Sequence, residues 1–422
     1  MAFPRMARVR QKFHAPKIDD IPAEVESQMA ALNLGEKVHS GQTIAITAGS
    51  RGIANIALII KSICDHVKSV GGVPIIVPAM GSHGGGTAEG QRAIIEGYGV
   101  TEEFTGAEIR ASMETVVVDE TSHGIPVHFD KVAFECDHVI VCGRVKPHTS
   151  FVGPIESGLH KMMLIGLGKH AGAKIYHRAI LDYSFTEIIQ AVAESVLRKC
   201  DILCGVAIVE NAYDETRTIE AVAPGNFYER ECELLKLSVE AMPKLPFDSV
   251  QLLIIDEIGK NISGSGMDTN IIGRKYNDHA ATEKDKVKVR RIFVRGLTEA
   301  THGNACGLGM AEFTNTRTAQ AVDKKITAIN SLTGGHPSAA GIPCHFDSDR
   351  EVIENALATV GFVEPENARV VQIADTLHLG EVLVSEACLA EVADRDDLEV
   401  IDGPFEMPFD ENGNLAAVGI GH

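Results

Sequence analysis

QTIAITAGSRGI, residues 42–53, decides the fold. An apolar, β-branched run from Thr43 to Thr47 ends in a glycine-bounded turn, Gly49 to Gly52, and a helical pattern follows from about Asn55 to Val70. VPIIVPAM at 73–80 is a second apolar strand, so the three pieces predict a strand, helix, strand unit of parallel type. In open α/β sheets the carboxyl ends of such strands bind ligands, because free backbone N–H groups and the helix dipole point there. Arg51, inside the first turn, carries a fixed fork of donors that suits a carboxylate. An arginine on an ordinary surface turn is the plainer alternative.

Outward from this unit, the second strand runs into GSHGGGTAEGQ, which puts His83 at the equivalent place, with Thr87 as a helix N-cap. Neither glycine turn has the spacing of a dinucleotide fingerprint. Residues 113–134 alternate as strands around a turn at Ser122 to Gly124. HVIVCGRV at 138–145 is the continuous apolar run of a buried parallel strand, and it delivers Lys146, Pro147 and His148 to the same edge. Three strand ends are therefore expected to bring Arg51, His83 and His148 together.

The stretch from Val145 to His177 concentrates the reactive side chains: His148, His160, Lys161, His170 and His177, with Gly153, Gly158, Gly166 and Gly168 between them. Histidine gains and loses a proton near neutrality and is the commonest metal ligand. Lysine adds an amine able to bond covalently to a carbonyl or thiocarbonyl carbon. A proton-transfer or metal site is the chemical reading; a solvated loop leading into a helix is the alternative. The pattern turns helical from Ser157, so Ser157 and Gly158 form a turn able to cradle a phosphate, with Lys161 one turn further on.

A chain of 422 residues exceeds the size at which one core keeps growing, so two domains are expected. Helices are predicted at 21–33, 181–199 and 227–242, a buried strand at 202–211, and a linker at 244–249. A second α/β set follows: a strand at 251–259, a Gly- and Ser-rich loop at 260–275, strands at 290–296 and 369–374, and helices at 317–330, 348–360 and 381–393. Asp268, Asn270, Arg274 and Lys275 are the loop's candidates for facing a ligand. The fold class read here is two α/β domains with a cofactor cleft between them. Residues 1–246 form the cofactor-binding and catalytic domain, 247–402 the C-terminal domain, and 403–422 a tail packing on either.

A formal charge of −19 repels phosphate backbones and anionic membranes, which argues against nucleic-acid or lipid partners. Nine scattered cysteines make no disulfide framework and fit free thiols in a reducing cytosol. Five Lys or Arg lie within the first 17 residues without an apolar stretch behind them, and no run approaches the ~20 apolar residues of a membrane helix. The expected location is the cytoplasm.

The motifs together resemble the nickel-dependent lactate racemase family, most closely from Gly49 to His177. Members carry a nickel pincer nucleotide, a pyridinium-3,5-bisthiocarboxylic acid mononucleotide whose sulfur arms hold nickel. Arg51 matches the family's arginine for the substrate carboxylate. GSH and the Pro147–His148 pair match the turns that supply its two acid/base histidines, which implies that His83 and His148 are catalytic. SGLHK corresponds to the family's SGGRK, implying that Lys161 is the covalent cofactor anchor and that Ser157 and Gly158 lie at the cofactor. His177, sixteen residues after Lys161, matches the nickel ligand at the same interval.

The chain also departs from the pattern. Ala48 stands where the family has aspartate, the loop from Thr149 to Glu156 is three residues longer, and there is no tryptophan. MDTN at 267–270 keeps a family element, but Gly273 and Tyr276 fall where a glutamine and a lysine would. The resemblance therefore implies an isomerase, a racemase or epimerase of a 2-hydroxy acid other than lactate, dependent on cofactor-synthesis enzymes. Sequence leaves the oligomeric state open. A zinc hydrolase using His83, His148 and His177 as three ligands and a non-catalytic nucleotide-binding homologue are the rival readings.

Overall fold

The computed structural model describes residues 2–49, 52–180 and 182–419. They fall into two compact units, one of Ala15–Met242 and one of Met1–His14 with Pro243–His422. Strand β1 (Met6–Gln11), for which no strand was expected within the Lys- and Arg-containing first 17 residues, groups with Pro243–His422 and not with residues 15–242. Its alternation explains the misreading: Met6, Ala7, Val9 and Gln11 are buried, while the arginines between them face outward, where Arg10 pairs with Glu381 at 2.9 Å.

In the unit of residues 15–242 the strands are β2 (Thr43–Ala48), β3 (Val73–Pro78), β4 (Glu108–Ile109), β5 (Thr115–Glu120), β6 (Pro126–Asp130), β7 (His138–Arg144), β8 (Ile202–Glu210) and β9 (Thr216–Val222). Six of them make a sheet in the order β4-β3-β2-β7-β8-β9, and β5 with β6 is a separate antiparallel hairpin. Pairings within the sheet are parallel except β8 with β9. The chain runs outward from β2 to β4 and resumes on the other side of β2 at β7. The order therefore reverses beside β2, where open α/β sheets form their crevice.

Strand alternation sends successive side chains to opposite faces. Ile44, Ile46, Ile76 and Ile140 pack on one face against Ile59, Ile60 and Ile63 of the helix Ile56–Ser69. Ala45, Ile75, Val77, Val139 and Val141 pack on the other against Leu159, Met163, Ile188 and Phe227. A sheet buried on both faces needs the continuous apolar runs that the sequence displays. Ser184 and Glu187 close a capping box at the start of the helix Phe185–Lys199.

In the other unit, β10 (Ser249–Ile255), β11 (Lys288–Val294), β12 (Phe313–Asn315), β13 (Cys344–Phe346) and β14 (Val370–Ile373) are parallel. The sheet continues antiparallel through β15 (Glu381–Ser385), β1 and β16 (Leu398–Phe405). Residues 381–393, read as one helix, are thus β15 followed by a short helix Leu389–Ala393. Val382, Leu383, Val384 and Ser385 are all buried, and pairing with β14 and β1 overrides the helical spacing of the apolar residues. The helix expected at 317–330 is two, Thr316–Ala321 and Lys324–Thr333, because Asp323 accepts the N–H groups of Lys325 and Ile326 and caps the second. No helix among the described residues is long and apolar enough to cross a membrane.

The tail crosses the carboxyl ends of this parallel sheet. Arg295 donates to Asp256, to Asp349 and to the Leu415 carbonyl. Asp349 accepts the Leu415 N–H at 3.0 Å and Asp256 that of Val418 at 2.6 Å. Burial acts to raise the Asp349 carboxyl, but Arg317 and Arg295 outweigh it and hold the group below its usual value. Asp349→Ala leaves Arg295 with one partner fewer in the interior and is expected to cost about 3–5 kcal/mol, read as a lower urea midpoint. The Asp349 contribution is present above the unfolded carboxylate value and fades as pH falls through the depressed folded one. An unchanged midpoint at pH 7 would show that the tail carries no stability.

Candidate active site

Since β2, β3 and β7 are neighbours and parallel, the loops leaving their carboxyl ends share one edge of the sheet. Those after β3 and β7 carry His83 and His148. Arg51, on the loop after β2, lies outside the described residues.

His83 sits in a braced turn. Its Nδ1 donates to the Met80 carbonyl at 3.0 Å, while its own carbonyl and that of Gly81 accept from Gln91 Nε2 at 3.3 and 2.9 Å. Gln91 is fully buried beside Lys169, whose amine lies 2.7 Å from Asp130 and also donates to the Pro78 carbonyl at the end of β3. Burial pulls the Lys169 amine down and pushes the Asp130 carboxyl up, each opposed by the charge of the other. Neither residue was singled out from sequence; a lysine in GLGKH gives no sign that it is buried.

His148 is held from its backbone and its ring. Its N–H donates to Glu156 at 2.8 Å, and Nδ1 accepts the N–H groups of Ser150 and Phe151 at 3.0 and 3.2 Å. The ring stacks on Phe151 with centroids 4.3 Å apart, and Phe151 stacks on Phe185 at 4.0 Å. Part of the lengthened loop from Thr149 to Glu156 thus serves to fix this histidine.

The Ser157 hydroxyl accepts the Lys146 N–H at 2.8 Å and donates to the Lys146 carbonyl, tying the SGLHK turn to the loop that carries His148. Beyond Gly158 the helix lasts only from Leu159 to Lys161, gives way to a π-turn over Met162–Gly166, and resumes as Lys169–Ala179. A helical stretch thus opens directly after Ser157 and Gly158, where the sequence pattern turns helical. Gly158 has φ +104°, and a Cβ there would lie 2.6 Å from Glu231 Oε1. Glu231 lies beneath the turn, 1% exposed, and its Oε2 accepts both the backbone N–H of His160 at 3.1 Å and Nδ1 at 2.8 Å. Burial pushes this carboxyl up. The signal was present in sequence: Glu231 shares the apolar spacing of Phe227, Leu234, Leu235 and Ser238 on one helix, where a charge has no solvent.

His177 lies on the helix Lys169–Ala179. Burial first, and the charge of Lys161 second, hold its imidazole below the usual histidine value, so the ring is neutral at neutral pH and keeps a lone pair for a metal. The two residues are thus near enough to interact electrostatically. Among the described residues no three His, Cys, Asp or Glu side chains come together as a metal site. His83, His148 and His177 therefore do not form the three-ligand set that the zinc reading requires.

In the second unit Asp268 caps the short helix Thr269–Ile272. Arg274, expected to supply charge to a ligand-facing loop, is instead buried against Glu312 at 3.0 Å and the Val289 carbonyl at 2.8 Å. At the end of β14, Asp375 orients His378 through Nδ1 at 2.8 Å, a pair that spacing did not flag.

Two solved structures match parts of this architecture, the first at the level of the fold. The lactate racemase apoprotein from Thermoanaerobacterium thermosaccharolyticum is 15% identical at TM-score 0.51, over 87% of this chain and 94% of that one. A structural-genomics protein from Thermotoga maritima is 14% identical at TM-score 0.46, over 76% and 82% of the two chains. No curated protein matches in sequence. The lactate racemase N-terminal domain family matches residues 9–187, a range that contains His83, His148, Lys161 and His177. Residues 9–187 thus match the N-terminal domain of lactate racemases, and the fold is shared with the lactate racemase apoprotein.

Proposed function

We propose that the protein is a cytoplasmic racemase or epimerase of a 2-hydroxy acid larger than lactate, working with a nickel pincer nucleotide tethered to Lys161. One observation supports the cofactor assignment: the lactate racemase N-terminal domain match, residues 9–187, spans both Lys161 and His177, and burial with the nearby charge of Lys161 favours a neutral His177 imidazole. One such imidazole suits a metal held mostly by an organic ligand, whose coordination it completes. When bound, the group supplies a hydride acceptor and donor for the C2 hydrogen of the substrate.

The chain's own residues do the rest. His83 and His148 hold and move the hydroxyl proton from two strand ends. Arg51 clamps the carboxylate, and the braced turns keep both rings in place. Synthesis of the cofactor requires other enzymes, which are the partners this reading implies. A non-catalytic homologue remains the rival, and an intact-mass measurement with nickel analysis separates the two: a covalent adduct with nickel supports the enzyme, and neither, after expression with the synthesis enzymes, supports the rival.

Substrate size follows from the second unit. Where the family places a glutamine and a lysine, this chain has Gly273 and Tyr276, and the Arg274 between them is buried. Gly273 has φ +66° and a Cβ there would run into the Val287 carbonyl, so the position cannot regain a polar side chain without moving the loop. Turnover of lactate is expected to be weaker than that of a bulkier 2-hydroxy acid in a panel of enantiopure substrates. Lactate as the best substrate would refute the size assignment.

A further inference from the structure

We propose that Lys169 is a positioning residue: its buried ammonium fixes the His83 turn against the segment that carries Lys161, and so keeps the imidazole in register with the cofactor's anchor. This role rests on the racemase reading above and adds to it how two separate parts of the site are held at a constant spacing.

Lys169 occupies an unusual place in the backbone. It opens the helix Lys169–Ala179 at φ +53°. The other non-glycine residues with positive φ among the described residues are Asn33, Asn55, Asp214 and His302, types that tolerate this region. A long side chain gains nothing from a left-handed backbone, so something else keeps lysine there. Strain of this kind persists where the surroundings over-determine it, and it clusters at functional sites. Just before it lies the π-turn Met162–Gly166, a second irregularity of a kind that marks such sites.

The amine supplies the reason. Fully buried, it reaches three segments at once: the Pro78 carbonyl at the end of β3, Asp130 at the end of β6 at 2.7 Å, and Gln91 Oε1 on the helix Ala88–Gly97 at 3.5 Å. Gln91 Nε2 in turn donates to the carbonyls of Gly81 and His83. Pro78 and Gln91 thus bracket the turn that carries His83, one before it and one after. The same turn abuts the π-turn, since a Cβ at Gly81 would lie 2.9 Å from Ile165 and one at Gly166 2.9 Å from the Ala79 carbonyl. Lys161 immediately precedes that π-turn, and Lys169 follows it. An ion pair kept for stability alone would account for Asp130 and leave Pro78 and Gln91 without a reason, and an apolar side chain could fill the volume with no charge to compensate. What the ammonium adds is directed contact with both flanks of the His83 turn.

The test cuts this brace at two places in the full-length chain. Gln91→Leu removes the link to the Gly81 and His83 carbonyls and leaves the pair of Lys169 with Asp130. Lys169→Met combined with Asp130→Asn removes the ammonium without stranding a charge, and asparagine keeps the N-cap that Asp130 Oδ1 gives to the Ala133 N–H. In both variants the amides of residues 81–86 are expected to exchange with deuterium faster than in wild type, while those of β8 keep their rates. In holoenzyme, kcat is expected to fall roughly 10- to 100-fold, the effect of a small misplacement of a reacting group. KM should stay within about twofold, and adduct mass and nickel content at wild-type levels, because carboxylate and cofactor are held by other residues. Unchanged exchange at 81–86, or an unchanged kcat, overturns the proposal. So does faster exchange that spreads to β8 together with loss of the adduct, the mark of a pair that only stabilises the fold. A wild type with full adduct and no racemisation refutes the proposed function instead, and exchange at 81–86 then decides the positioning role by itself.

Discussion

Lys161→Ala is expected to abolish the mass increment of the proposed cofactor in protein expressed with the synthesis enzymes, whereas His177→Ala is expected to keep the adduct and lose nickel. The expectation follows from what holds each part. The Ser157 hydroxyl is engaged with Lys146. On the proposed reading the lysine bond is the main attachment, and backbone contacts of the turn to a phosphate are not expected to retain a mononucleotide alone. His177 is the proposed metal ligand, and burial together with the charge of Lys161 holds its imidazole below the usual histidine value. Intact mass and metal quantification on wild type and both variants decide the matter. An unmodified Lys161 in an active wild type would overturn the tether, and full nickel retention in His177→Ala would remove His177 as the ligand.

The geometry around Lys161 was legible in sequence only in part. SGLHK and the sixteen-residue interval to His177 are local patterns, and they identify the two residues without any knowledge of the fold. What supports them is not local. Glu231 reaches the turn from a helix 70 residues away, and Gly158 is required because that carboxylate lies against it. Sequence alone does not reveal Glu231 there, since a glycine before a helical pattern looks the same whether or not a buried glutamate packs against it.

The strand-helix-strand reading of residues 42–80 succeeded because a sheet covered on both faces demands continuous apolar runs, and those runs fix strand order and direction once the crossovers are short. Edge and antiparallel strands escape this logic. β1 carries arginines between its buried residues and pairs with β15 and β16, more than 370 residues further along the chain, so nothing within a short window marks it as a strand. The same limit applies to Lys169, whose burial depends on Asp130, Gln91 and the end of β3 arriving from three separate segments.

His83→Ala is expected to lower racemisation by roughly 10²–10⁴-fold while leaving both adduct and nickel in place. The ring belongs to the loop after β3, whereas Lys161 and His177 belong to a different stretch of chain, so removing the imidazole touches neither. The turn itself should survive the change. Gln91 holds the carbonyls of Gly81 and His83 through backbone contacts that alanine preserves, and only the bond from Nδ1 to Met80 is lost. Thermal stability close to wild type is therefore the companion expectation, since one partly exposed hydrogen bond contributes about 0.5–1.5 kcal/mol. Circular dichroism, intact mass, nickel content and racemisation from each enantiomer, measured on one preparation, separate the outcomes. Retained activity would remove His83 from the chemistry, and loss of nickel on its replacement would make it part of the metal site instead of the proton acceptor beside it.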